Sequence, residues 1–208
     1  MEKINIRALI LDYGGVISQP QNPDNVNNIL QIINQDYDDF MYVYQSHRAG
    51  YDSAHLSGQE YWTKILQHYD LVPNDYEIER LIQEDVSSWT HLNESMIEFI
   101  KQYSSGIPKL AVISNMTTDC LVTIKSQFEW FALFDELIFS CDVGVNKPEK
   151  EIYEICLRQL KVSPNECLFV DDSASNVNGA LRVGMHGMQF KSFAQFTLEL
   201  DDKYNVTQ

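Results

Sequence analysis

No stretch of this sequence approaches the ~18–20 consecutive apolar residues that a bilayer span needs, so no membrane role is expected. Basic residues are scarce: 15 Lys and Arg stand against 30 Asp and Glu, a formal charge of −15. That balance argues against nucleic acid or an anionic membrane surface as a partner. A small anionic substrate stays open, because one lysine or one metal ion overrides a global field locally. The four cysteines, Cys120, Cys141, Cys156 and Cys167, show no CxxC spacing. They read as reduced core thiols. The opening residues, MEKINIRALIL, carry neither a long apolar core nor a small-residue cleavage site, so the expected location is cytoplasmic. No internal repeat or low-complexity tract is present.

What is there is enough for a core. Apolar residues make up 44% of 208, the scale of one sizeable domain or a core with a small insertion. Three short apolar runs read as buried parallel strands: ALILD (8–12), KLAVISN (109–115) and CLFVDD (167–172). ELIFS (136–140) and GMQF (187–190) are weaker candidates of the same kind. Buried strands separated by helical patterns imply an α/β sheet. Ligands of such sheets gather at the carboxyl ends of the strands. Asp12, Ser114, Asn115, Asp171 and Asp172 would sit there. The same residue types also favour ordinary turns, so position alone leaves a structural reading open.

Residues 18–92 contain no clear strand. Four amphipathic patterns, at 25–35, 38–50, 57–70 and 75–89, predict helices. Ser57 with Glu60 fits a capping box, Gly50 suits a helix C-terminus, and Pro73 falls between the last two helices. A further helix is expected over 93–106. The block reads as a helical cap (18–92) inserted after the first strand of an α/β core (1–17 and 93–208).

Several residues there could carry chemistry. Asp12 closes the first strand, and a carboxylate there can act as a nucleophile, splitting one hard displacement into two steps. Gly14 and Gly15 permit tight backbone and close approach to a ligand; a plain turn would use them too. Asp171 and Asp172 repel one another unless a cation sits beside them, and Mg²⁺ takes hard carboxylate oxygens. Lys147 precedes Pro148, which suits a first helical turn, and a lysine there could hold a phosphate as a point charge.

Together these motifs resemble the haloacid dehalogenase-like hydrolase superfamily. LDYGGV matches its nucleophile motif, VISN its second, NKPEKEIY its third and VDDSASNVNGALRVGM its acidic fourth, in the required order across most of the chain. The resemblance is greatest to the branch holding a glucose-1-phosphate phosphatase and the phosphatase domain of soluble epoxide hydrolase. It implies a doubly wound, Rossmann-like parallel sheet with the cap after the first strand. It implies catalysis by Asp12, Ser114 and Lys147, with Asn115 beside the phosphoryl group. It implies Mg²⁺ held by Asp12, the Gly14 carbonyl and Asp172, with Asp171 acting through water and Asn176 ordering the acidic loop. The expected activity is a Mg²⁺-dependent phosphatase on a small phosphorylated metabolite, by way of an aspartyl phosphate, in a monomer or homodimer.

Gly14 departs from that pattern, which places a second Asp there as general acid. General acid catalysis is worth ~10²–10⁴-fold. A sugar's anomeric oxygen leaves more readily than an ordinary alkoxide, which favours sugar phosphates, sugar 1-phosphates among them. Otherwise the cap supplies the proton, with His47 and Tyr51 as first candidates. Arg48 in the cap could reach a phosphate or sugar hydroxyls, and Trp62 could stack on a sugar or fill the cap core. Two rivals remain: a 2-haloacid dehalogenase, which needs no acid but has no use for the Asp171–Asp172 pair, and a non-catalytic or regulatory protein on the same fold.

Overall fold

The computed structural model describes residues 3–72, 74–103 and 106–206. Pro73, expected between two helices, lies outside them, as do residues 104 and 105 of the helix expected over 93–106. In chain order, β1 (Ile4–Ile6) and β2 (Ala8–Leu11) lead into a tight turn over Tyr13–Ile17. Four helices follow: α1 (Pro23–Ile33), α2 (Tyr37–Asp52), α3 (Gly58–His68) and α4 (Asp75–Ser87). Then come α5 (Glu94–Tyr103), β3 (Lys109–Ser114), α6 (Thr118–Gln127), β4 (Glu136–Phe139) and α7 (Ser140–Val143). The chain continues through α8 (Lys150–Leu160), β5 (Cys167–Asp171), α9 (Ala174–Arg182), β6 (His186–Gln189), α10 (Phe193–Lys203) and β7 (Tyr204–Val206).

Five strands form one parallel sheet in the order β4-β3-β2-β5-β6. Each strand's alternate residues face opposite sides, and both sides are covered. Leu9, Leu11, Val112 and Val170 pack with Met96, Ile100, Ile124 and Phe196 on one side. Ala8, Ile10, Ile113 and Phe169 pack with Ile152, Tyr153, Cys156 and Ala180 on the other. Burial on both faces is why these strands read as unbroken apolar runs rather than alternating ones. The chain winds outward from β2 through β3 to β4, then returns to place β5 on the other side of β2. The direction of winding therefore reverses beside β2, where open α/β sheets leave a crevice for ligands.

The helices α1–α4 bury a cluster of their own, including Ile29, Phe40, Tyr44, Tyr61, Trp62 and Leu81. Trp62 is fully buried and stacked on Phe40, so it belongs to the cap core. The Ser57–Glu60 capping box at the start of α3 forms in both directions. The cap joins the core through a short antiparallel stem. Ser18 pairs with Leu92, the Gln19 N–H donates to the His91 carbonyl at 2.7 Å, and the Asn93 N–H donates to the Ile17 carbonyl at 2.9 Å.

Two local expectations need correction, and one element was not expected. Gly50 lies inside α2, which continues to Asp52. Pro148 precedes α8, which starts at Lys150 with Glu149 as its N-cap. A small second sheet, β1 paired in parallel with β7, joins the two ends of the described chain.

Candidate active site

The register of the central strands sets the site. Ile10 pairs with Ala111 on one side and Phe169 on the other. Asp12, Ser114 and Asp171 therefore emerge at the same edge of β2, β3 and β5. The Asp12 N–H donates to the Val170 carbonyl at 2.9 Å, which carries the strand geometry to the carboxylate itself.

Lys147 reaches this edge from the loop before α8. Its Nζ lies 2.7 Å from Asp12 Oδ1 and 2.7 Å from Asp171 Oδ2, and it is only 4% exposed. Asn115 holds the lysine in place from below. Its Oδ1 accepts from the Lys147 N–H at 2.7 Å, and its Nδ2 donates to the Lys147 carbonyl at 3.0 Å. The Asn115 amide is thus paired with backbone at the cavity wall and positions the lysine. Ser114 is buried and lines the same cavity.

The acidic pair divides its work. Asp171 is fully buried and accepts from the Ser173 N–H at 2.8 Å, from Asn176 Nδ2 at 3.1 Å and from Lys147. Asn176 therefore orders the acidic loop through Asp171. Asp172 is exposed and lies against Gly15. A Cβ on Gly15 would stand 2.5 Å from Asp172 Oδ2, and Gly15 has φ +69°, a conformation other residues rarely adopt. The second glycine of the LDYGGVI stretch is thus required twice over. Gly14 is different: its φ is −64°, and a Cβ there would meet the Trp89 ring at 3.4 Å.

The electrostatics are unbalanced. Asp12, Asp171 and Asp172 offer carboxylate oxygens within 4.8 Å of one another. Among the described residues, Lys147 is the one cation paired with any of them, and it reaches Asp12 and Asp171. Burial first, and the neighbouring Asp171 carboxylate second, push Asp12 up to about 8 despite the lysine. The same two causes raise Asp172. Burial alone would lower Lys147, but Asp12 and Asp171 outweigh it and hold its pKa above the usual value. Three hard-oxygen donors with uncompensated charge fit a divalent cation such as Mg²⁺.

Over this edge, between core and cap, lies a cavity of ≈ 350 Å³. Asp12, Ser114, Lys147 and Asp172 line it from below; Tyr44, Arg48, Asp52 and Trp89 line it from above. Arg48 reaches the cavity wall, but its guanidinium is held by protein. Nε donates to Asp52 Oδ1 at 2.8 Å, and Nη1 donates to both oxygens of Asp85, at 3.0 and 2.8 Å. His47 does not line the cavity, and Tyr51 Oη donates to Asp119 Oδ2 at 2.6 Å.

Four participants escaped the sequence reading: Asp52, Asp85, Trp89 and Ser140. Only one carried a local signal, the i,i+4 spacing of Arg48 and Asp52 on one helix.

Comparisons with known proteins place the chain in a family. Over 185 residues the chain is 22% identical to a drimenol cyclase of Aspergillus calidoustus, covering 89% of this chain and 34% of that protein. It is 24% identical over 139 residues to flavin mononucleotide hydrolase 1 of Arabidopsis thaliana, covering 67% of this chain and 56% of the relative. The chain thus spans about a third of the first relative and just over half of the second. A HAD family enzyme of Bacteroides thetaiotaomicron, solved with magnesium and inorganic phosphate, superposes with a TM-score of 0.76 at 16% identity, over 92% of this chain and 98% of that one. A family profile matches residues 6–184, from the end of β1 to beyond α9, and so takes in every residue that lines the cavity. By that match, this chain belongs to the haloacid dehalogenase-like hydrolases.

Proposed function

We infer that this hydrolase is a Mg²⁺-dependent phosphatase of a small phosphorylated metabolite, working through an aspartyl phosphate on Asp12. The observation that carries the reading is the cluster of three carboxylates with one lysine, which pairs with two of them, Asp12 and Asp171. A dehalogenase, whose halide departs unaided, has no need of it. The similarity to a flavin mononucleotide hydrolase, and to a fold solved with magnesium and phosphate, supports the same class.

The residues divide the task. Asp12 attacks phosphorus from the floor of the cavity. Ser114 Oγ and Lys147 Nζ hold the phosphoryl oxygens, and Asn115 fixes the lysine backbone. Asp12, the Gly14 carbonyl and Asp172 would hold the Mg²⁺, with Asp171 acting through water. The ion's part is to offset charge on the phosphoryl group. The cavity volume of ≈ 350 Å³ suits a small substrate, and sugar phosphates, sugar 1-phosphates among them, are the first candidates.

Asp12→Asn tests the covalent step. The change is nearly isosteric, so the folded protein should persist while phosphate release falls below ~1% of native. Beryllium fluoride should give Mg²⁺-dependent bound ¹⁹F signals with the native chain and none with the variant. Full turnover by Asp12→Asn would end the covalent reading.

A further inference from the structure

An alkoxide leaves phosphorus slowly unless it receives a proton, and residue 14 is a glycine without a side chain to give one. The cavity wall offers few other acids. Tyr44 Oη donates to Asp85 at 2.5 Å, and burial raises its pKa well above the usual phenol value. Burial also pushes the Cys120 thiol up to about 12. Neither gives up a proton readily near neutral pH. Among the described residues, three carboxyls border the cavity: Asp12, Asp172 and Asp52. The first two belong to the cation cluster. Asp52 faces them from the cap.

The position of Asp52 is fixed. Ser140 Oγ donates to the Asp52 carbonyl at 2.6 Å and accepts from the Met116 N–H at 2.9 Å. This one hydroxyl ties the last residue of α2 to the loop that follows Ser114. The end of α2 is thereby held against the segment that follows Ser114, and Asp52 lines the cavity there.

Its charge is also poorly supported. One guanidinium, Arg48, faces two carboxylates, Asp52 and Asp85, and all three side chains are nearly buried. Asp85 receives three donated hydrogen bonds, two from Arg48 and one from Tyr44. Asp52 receives one, at Oδ1. Of the two carboxyls, Asp52 is the less satisfied by hydrogen bonds.

We propose that Asp52 is the proton donor for the leaving group, supplied by the cap in place of the absent side chain at residue 14. The proposal rests on the phosphatase reading. As Asp12 forms its bond to phosphorus, the phosphorus–oxygen bond to the leaving group breaks, and that oxygen keeps the electron pair. The Asp52 proton passes to it, leaving a carboxylate beside Arg48. Water then attacks the aspartyl phosphate, Asp52 takes back a proton from it, and Asp12 is released. The groups facing Asp52 agree with this role. Burial raises it, Arg48 draws it down, Asp85 pushes it up and Lys147 draws it down; the net shift is upward. Tyr44 and Tyr61 stay neutral around it, both raised by burial.

Asp52→Asn keeps an oxygen for Arg48 but has no acidic proton. The experiment compares native and variant, with Mg²⁺, on an alkyl phosphate and on 2,4-dinitrophenyl phosphate, whose leaving group needs no proton. We expect kcat on the alkyl ester to fall ~10²-fold or more and kcat on the aryl ester to change less than about threefold. Equal losses on both esters, or no loss on either, would overturn the proposal. Should the variant fail to fold, native pH profiles decide. A fall in kcat at high pH for the alkyl ester and not for the dinitrophenyl ester supports Asp52; superimposable profiles refute it. Native protein that releases phosphate from no ester at all would refute the phosphatase reading itself, and Asp52's role with it.

Discussion

At the scale of single residues, the two acidic neighbours of β5 should separate cleanly. Asp171 is buried and holds Lys147, Asn176 and the Ser173 amide; Asp172 stands exposed against Gly15. Removing one partner of a buried ion pair costs ~3–5 kcal/mol, because the other charge is stranded. Asp171→Ala should therefore lose stability of about that order. Asp172→Ala should unfold within about 1 kcal/mol of native yet need far more Mg²⁺ for activity. Urea unfolding and a Mg²⁺ titration of phosphate release check the pair. Equal destabilisation by the two substitutions would contradict the division. The sequence showed that two adjacent carboxylates were there, but not which one faced Lys147. That choice depends on the twist of one strand end and on a loop 24 residues upstream.

At the scale of elements, the end of α2 is the joint between cap and core. Ser140 holds the Asp52 carbonyl, Asn146 Nδ2 donates to the Ala49 carbonyl at 2.8 Å, and Asp119 accepts from Tyr51. Tyr51→Phe removes one of these three. It should cost about 1 kcal/mol of stability and raise KM more than it lowers kcat, since the chemistry below is untouched. A variant with native KM would mean that the joint does not shape the cavity. Elements of this kind were unevenly legible. β2, β3 and β5 were readable because both faces are buried, which makes each a continuous apolar run; β4 and β6, at the sheet edges, gave weaker signals. β1 was not, because Ile4–Ile6 is only three residues long, is interrupted by Asn5 and falls outside the apolar run at 8–12. The break comes at Arg7, whose N–H donates to the Glu166 carbonyl at 2.8 Å. β1 then pairs with β7 from the far end of the chain, a contact no local pattern announces. The cap helices were legible by period, but the Arg48–Asp85 pair was not, because it joins two helices 37 residues apart.

At the scale of the whole molecule, the crowded carboxylates of the site work against the fold. Asp12 has its pKa raised to about 8 in the folded chain against an ordinary value of 3.8. Between those values the folded state binds more protons than the unfolded one. Stability supplied by that proton is complete below about pH 4 and is lost as pH rises through about 8. Metal-free protein should therefore show a Tm that falls by a few degrees from pH 5 to pH 8. Mg²⁺ should offset the loss most strongly at the upper end, and Asp12→Asn should flatten the slope. Thermal scans with EDTA and with Mg²⁺ check this; a Tm that rises across that range without metal, in native but not variant protein, would contradict the assigned direction. The acidic surface, with its formal charge of −15, makes the buried lysine the main attraction for a phosphate. The most direct test of the central claim is phosphate release from a broad panel of phosphorylated metabolites, run with Mg²⁺ and with EDTA. The account predicts release from at least one small substrate, abolished by EDTA and restored by Mg²⁺. Release that proceeds unchanged in EDTA, or no release from any member of the panel, would contradict it.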